Sequence, residues 1–445
     1  MVKDLTEGKV RKVLWQFTLP MFISVIFQQL YNIADSVIVG NFSVNGEDAL
    51  AAVGASYPIT MIFMCIAMGC NTGCSVVISQ LFGAKKHREM KTAVSTTLLA
   101  SIFISILLTV LGILLSRPLL VMLQTPDNIL KDAAIYLQIY TGGFAFVFFY
   151  NVVTGIFTAL GDSKTPLYFL IGSSVGNVVM DLLFVAVFHW DVAGAAWATF
   201  ICQGVASILA LLTLWLRVKA VQTVEKPEIF SMQMLKRIGI IAIPSVLQQS
   251  FVSIGNIFIQ RLINGYGSSV IAGYSAAIKI NTFVITCFGT LGTAISNFTA
   301  QNIGAGKTGR VKSGLKEGWV MGFVIGIPSF LLCFFGGEFL IHLFIKEETA
   351  LALNTGMMFL RIVSPFFVVV AMKLITDGVL RGSGSMKSFM VATLSDLILR
   401  VALGYILSIP FGTTGIWMSW PVGWSIGTIL SLVFYKMGVW EIKKA

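Results

Sequence analysis

Two carboxylates in the first half of this sequence stand out by type and spacing. Asp35 closes the series Gln28, Asn32, Asp35, spaced i, i+4, i+7, and Asp181 closes the series Ser173, Asn177, Asp181, spaced i, i+4, i+8. On a helix of 3.6 residues per turn each series falls on one face, so each makes a polar stripe on an otherwise apolar segment. Two carboxylates with amide and hydroxyl neighbours, once brought together, either share a proton or hold a cation between their oxygens. Neither is bond-making chemistry. An enzyme needs a nucleophile with its base, or a metal set, within reach, whereas His87, His189 and His342 lie in or near different loops. The expectation is a protein that is not an enzyme, with no cofactor, whose paired carboxylates act as a cation switch.

The elements that hold these residues follow from composition. Of 445 residues 56% are hydrophobic and 11% charged, against roughly a quarter charged in a soluble domain, and mean hydropathy is +0.86. A soluble globular protein is excluded. Apolar windows bounded by polar or Gly/Pro-rich breaks predict twelve transmembrane helices in an all-α, polytopic membrane protein. The expected crossings are 13–41, 50–82, 92–116, 130–160, 165–189 and 193–217, then 236–264, 269–302, 313–337, 351–381, 387–410 and 413–436. The six cysteines fall inside apolar runs, where a thiol packs as a small hydrophobe, so no disulfide framework is implied. Cys70 and Cys74 share a helix face without the His or carboxylate that a zinc site needs.

With twelve crossings both termini lie on one side. Twenty-three Lys and Arg fall in the loops and ends of that side, Lys3, Lys443 and Lys444 among them, while the opposite loops hold Arg117, Lys131 and Lys346. The positive-inside rule then puts the termini in the cytoplasm, and the expected location is the plasma (cell inner) membrane. The basic charge of +11 belongs to membrane-flanking loops, not to a nucleic-acid surface. The bilayer and a small molecule are the expected partners, and a monomer the expected state.

The halves repeat one plan. Pro20 with Asn32-Ile33 recurs as Pro244 with Asn256-Ile257; Gln80-Leu-Phe-Gly83-Ala84 recurs as Gln301-Asn-Ile-Gly304-Ala305. The run from Gly155 to Lys164 recurs from Gly378 to Lys387, and Gly194 recurs as Gly415. Four landmarks in order at an offset of 221 to 224 residues indicate two pseudo-symmetric six-helix lobes. The expected division is an N-terminal lobe 1–217, a cytoplasmic linker 218–235 and a C-terminal lobe 236–445, with a substrate cleft between the lobes.

Depth brings the two stripes together. Asp35 stands about 9 Å and Asp181 about 12 Å from the outer end of their helices, so both carboxylates reach one outer-half pocket. A charge at mid-membrane costs about 2.5–3.5 kcal/mol on insertion scales, which makes each a candidate for function. Pro20, about 22 Å below Asp35 along the same helix, breaks the hydrogen-bond ladder and is a candidate hinge. The second half is more basic inside the membrane. Asp396 and Arg400, at i and i+4, are expected to pair, while Lys279 and Lys373 either line the cleft toward an anionic group or pair with Asp377 or Asp396 across helices.

These residues resemble the multidrug and toxic compound extrusion (MATE) family across nearly the whole chain. The likeness lies in the twelve crossings, the duplicated lobes, the motifs ending crossings two, four, eight and ten, and in Pro20 with the run from Gln28 to Gly40. The resemblance implies cation-coupled export by alternating access, with the cation in the N-terminal lobe. Carried over by position, Asp35 matches the first-helix acid, and Asn177 with Asp181 matches the fifth-helix Asn-x-x-x-Asp. Thr199 and Tyr136 follow by relative position, with Asn151 and Thr154 as supporting positions and sodium as a possible ligand of Asp35, Asp181 and Asn177. The seventh crossing offers Gln249, Asn256 and Gln260 where relatives with a C-lobe sodium site carry an acid, so the N-lobe pattern is closer to the DinF-like branch. The expected function is an H+- or Na+-coupled antiporter exporting amphipathic, organic-cation or drug-like compounds. A flippase for lipid-linked saccharide, or an exporter of anionic amphiphiles, is the alternative.

Overall fold

The computed structural model describes residues 4–42, 46–223, 225–344 and 349–441; Lys3, Lys346, Lys443 and Lys444 of the loop-charge pattern lie outside them. Within a bilayer no water satisfies peptide groups, so an apolar segment pairs its own N–H and C=O groups as a helix. The first half holds α1 (Val10–Phe42), α2 (Gly46–Gly83), α3 (His87–Met122), α4 (Asp127–Gly142), α5 (Phe144–Ala159), α6 (Lys164–Asp181) and α7 (Asp191–Ala220). The second holds α8 (Met232–Asn264), α9 (Ser268–Gly304), α10 (Thr308–Phe335), the short α11 (Gly337–His342), α12 (Ala350–Val363), α13 (Phe367–Ser383) and α14 (Met386–Lys436).

Ten helical stretches are long and apolar enough to cross a membrane, and α4 with α5 makes an eleventh, bent by 46° at Gly143. The twelfth comes from α14, whose 51 residues would run about 76 Å, far more than a bilayer needs. Gly412, at φ 58° and ψ −138°, breaks it where only a residue without Cβ sits easily. The two pieces correspond to the expected crossings 387–410 and 413–436. The break at Gly143 also recurs: its counterpart 221 to 223 residues on is the 3-10 turn Ser364–Phe366, which carries Pro365 between α12 and α13. Exposed apolar side chains such as Phe103, Leu114 and Ile409 are what helices facing lipid tails present.

Landmark glycines mark where helices come closest. A Cβ on Gly155 of α5 would lie 2.8 Å from Asn71 Oδ1 of α2, and a Cβ on Gly378 of α13 would fall into the carbonyl of Gly292 on α9. Small residues that let backbones meet are the usual currency of helix packing in membranes. Gly378→Ala is therefore expected to destabilise by about 1–3 kcal/mol, the ordinary penalty of overpacking. The thermal midpoint of purified protein reads this, and an unchanged midpoint would mean that α13 can move off α9 freely.

The chain divides into two compact units, one of residues 1–4 and 19–246 and the other of 5–18 and 247–445. Two of the three changes of unit along the chain fall beside a repeat proline, at 18/19 next to Pro20 and at 246/247 next to Pro244. In the second unit the turn before α1 is clasped by the α9–α10 corner. Gln301 Oε1 accepts from Leu5 N–H at 2.9 Å, Lys307 Nζ donates to Thr6 O at 2.9 Å, and Arg310 donates to the carbonyls of Leu5, Glu7 and Gly8 at 3.2, 3.3 and 2.7 Å. These carbonyls precede any helix, so cationic side chains supply the partners that buried peptide groups require. In the first unit the matching glutamine, Gln80, accepts from Arg237 Nη2 at 2.9 Å. The repeated Gln motif thus has one task in both copies, which is to hold the start of a long first helix.

Candidate functional site

The first unit assembles the predicted acidic site from four helices. Tyr31 and Asp35 stand one turn apart on α1, Tyr136 and Tyr140 one turn apart on α4, Asn177 and Asp181 one turn apart on α6, and Thr199 lies on α7. Asp181 has no exposure and Asn177 3%, while Asp35 is half-buried. The two carboxyl groups lie within hydrogen-bonding reach of each other. In the amide orientation that satisfies both ends, Asn177 donates its N–H to Asp181 Oδ2, and its oxygen accepts from the Thr199 backbone N–H at 3.1 Å. The Tyr31 hydroxyl is 3.5 Å from Thr199 Oγ1. Both Asp35 Oδ1 and Asp181 Oδ1 are buried without a hydrogen-bond partner, so two acceptor oxygens are left for something to satisfy.

Electrostatically this is a site that wants a positive charge. Two carboxylates in contact repel unless a proton or cation lies between them. Around them the Tyr31, Tyr136 and Tyr140 phenols form a polar wall: Tyr136 feels Asp35, Asp181, Tyr31 and Tyr140, and its ring stacks on Tyr140 with centroids 6.2 Å apart. Sequence reasoning named Tyr136 but missed Tyr31 and Tyr140. The available signal was position, since each stands one helical turn from a named residue. It also missed that α6 passes directly after Asp181 into a π-helical turn, Leu182–Val187, a distortion often found at functional positions. Among the described residues no group of three or more His, Cys, Asp or Glu is placed to hold a metal ion, so any bound cation would rest on this pair and on neutral oxygens.

The other predicted positions have different surroundings. Gln28 and Asn32 are exposed along α1, and Pro20 is buried in it. Asn151 and Thr154 belong to α5 packing: the Asn151 carbonyl accepts from Asn71 Nδ2 at 2.8 Å, its own Nδ2 donates to Val147 O at 2.8 Å, and Thr154 bonds Tyr150. In the second unit Gln249 accepts from Ser253 through its backbone at 3.1 Å, and Gln260 donates to Asn264 at 2.8 Å.

The basic residues of that unit have separate fates. Lys279 is exposed, its ammonium 5.8 Å from the centre of the Phe344 ring. Lys373 is 2% exposed and bridges Asp377 Oδ2 at 2.9 Å and Asp396 Oδ2 at 3.5 Å, with Ser431 donating to the other Asp377 oxygen. The expected Asp396–Arg400 pair is replaced. Among the described residues no direct ion pair joins them, although Arg400 still feels the Asp396 charge; Arg400 lies over the Trp420 ring at 4.4 Å and donates to Asn256 Oδ1 at 3.4 Å. The ammonium wins Asp396 because it is a compact charge that reaches two carboxylates at once, whereas a planar guanidinium suits an aromatic face.

Comparison with known proteins places this architecture. The MatE family model matches residues 20–183 and again 244–406, at the offset of the internal repeat. The chain is 29% identical over 99% of its length, and 98% of the relative's, to the "Probable multidrug resistance protein YpnP" of Bacillus subtilis. It is 23% identical to the multidrug export protein MepA of Staphylococcus haemolyticus, over 92% of this chain and 90% of that one. A solved MOP superfamily transporter from Pyrococcus furiosus, described as having a reverse polarity of its binding pocket, has the same fold: TM-score 0.90 and 23% identity over 99% and 98% of the two chains. With duplicated helical units, an intramembrane acidic pair and a family match to both halves, the chain belongs to the MatE family of multidrug-efflux membrane transporters.

Proposed function

We propose that the protein is an antiporter that exports amphipathic, organic-cation or drug-like compounds in exchange for H+ or Na+, taken up at Asp35 and Asp181. The observation that carries this reading is the pair of buried, unpartnered carboxylate oxygens side by side in the first unit. Asn177 and Thr199 position the pair, and Tyr31, Tyr136 and Tyr140 close it in. Cation uptake cancels the repulsion and changes what α1 and α6 prefer; release restores it. Exchange requires that cation and substrate favour different states of the protein, because a ligand with equal affinity for both shifts nothing.

In this reading the protein works as a monomer in the plasma membrane with cytoplasmic termini, and Pro20 is the hinge of α1. Export of an anionic amphiphile or a lipid-linked saccharide is the second reading, and it rests on Lys279 alone in the second unit, since Lys373 is engaged by Asp377 and Asp396. The test is purified protein in liposomes with a fluorescent organic cation and separately imposed pH and sodium gradients. Uptake driven by one gradient and not the other names the ion. No movement under either gradient, with folded protein, would overturn the organic-cation reading in favour of an anionic substrate.

A further inference from the structure

A polar cavity lies within the first unit, where the segment leading into α8 packs against the start of α3. It has a volume of about 610 Å³ and is lined by Arg88, Glu89, Thr92, Glu228, Ser231, Gln233, Met234, Lys236, Arg237 and Ile240. Its wall is built, not incidental. Glu228 N–H and Ser231 N–H donate to Thr92 Oγ1 and Thr96 Oγ1 at 3.1 and 3.0 Å, Ser95 donates to Glu228 O at 3.2 Å, and Arg88 Nε donates to Lys226 O at 3.2 Å.

The charges do not cancel. Arg88 pairs with Glu225 at 2.6 Å and Glu89 with Lys86 at 3.1 Å, which leaves Lys236 and Arg237 facing Glu228. The lining as a whole carries three cations and two carboxylates, one positive charge net, the complement of a monoanionic phosphodiester. Polarity is also graded along α8. Ile240 and Ile243, 67% and 64% exposed, follow Arg237 at about 4.5 and 9 Å along the axis. Ile229, Phe230 and Met232, next in sequence to the lining residues Glu228, Ser231 and Gln233, are apolar and exposed, which is the composition of a segment lying at the boundary of headgroups and acyl chains. Phosphate-binding cations at the surface, followed by an apolar track into the bilayer, is the order of groups in a phospholipid.

We infer that this cavity is a headgroup site for an anionic glycerophospholipid, its phosphodiester against Lys236 and Arg237 and its acyl chains along Ile240 and Ile243. A basic pocket at a membrane surface is suited to such headgroups, and this one differs from a soluble-anion site by the apolar track that continues from it. The site is separate from the cation pair and holds whichever ion drives transport.

The experiment titrates full-length protein in detergent with short-chain phosphatidylglycerol and counts retained lipid by native mass spectrometry, with phosphatidylcholine and inorganic phosphate as the other arms. Retention of phosphatidylglycerol over phosphatidylcholine is expected, falling about fivefold for each basic residue removed in Lys236→Gln and in the double change Lys236→Gln, Arg237→Gln. Because Arg237 also holds Gln80, the double variant can lose its fold; Lys236→Gln alone, restored by Lys236→Arg, then decides. Equal retention of both lipids, or retention unmoved by Lys236→Gln, overturns the site. Inorganic phosphate displacing phosphatidylglycerol at equal concentration overturns the lipid as its occupant.

Discussion

Asp181→Asn, and separately Asp35→Asn, is expected to yield a folded protein that still exchanges substrate across the membrane but no longer accumulates it against a cation gradient. Each change keeps the shape of the side chain and removes a carboxylate, so Asn177 and Thr199 retain a neighbour of the same size. What disappears is the mutual repulsion that a bound cation relieves. Coupling free energies between two sites are commonly worth about 5- to 150-fold in affinity, and their loss removes all of that from the gradient-driven rate. Measuring counterflow beside gradient-driven transport separates the outcomes: counterflow retained with driven transport lost is the expected result, and driven transport retained in both variants would take the pair out of the mechanism. Asp181→Asn should be the more severe, because Asp181 is wholly buried and Asp35 is not.

The second large effect lies in the other unit. Lys373→Met removes an ammonium that is 2% exposed and leaves Asp377 and Asp396 facing each other. Breaking a buried ion pair by removing one partner costs about 3–5 kcal/mol, because a charge is left uncompensated. Methionine matches the lysine stem in length, so packing against Gly427, where the stem runs close, survives and the loss reads as electrostatic. Adding Asp377→Asn and Asp396→Asn to Lys373→Met should recover most of the stability. The measurement is the thermal midpoint of the single and triple variants in detergent; a single variant as stable as the parent would mean that the carboxylates are already neutral there.

How much of this was legible in the sequence differs by residue. Asp35, Asn177 and Asp181 announced themselves because a charged stripe on an apolar helix is expensive and periodic, and both properties are local. The landmark glycines were legible as a repeat, and Gly155 and Gly378 have since acquired a reason in the close approach of α5 to α2 and α13 to α9. The partner of Asp396 was legible only as a choice. Spacing offered Arg400 on the same helix and the buried charge of Lys373 offered a partner across helices; Lys373 reaches it from α13, and no pattern within one segment reports which of two cations lies nearer in space. The π turn after Asp181 left no periodic trace either, since Leu182–Val187 reads as ordinary apolar helix. Hydropathy marks where the chain enters and leaves the bilayer; it is silent on which unit a segment joins.

The clasp on Leu5 sets a timetable for making the protein. Leu5 bonds Gln301, 296 residues later, so at about 5–20 residues per second the first residues wait roughly 15–60 s on the ribosome before their partner is synthesised. The first unit needs no such delay, since Arg237 meets Gln80 only 157 residues behind it. Unit one is therefore complete when only residues 5–18 of unit two have been made, and that N-terminal strap stays unfastened until the α9–α10 corner follows.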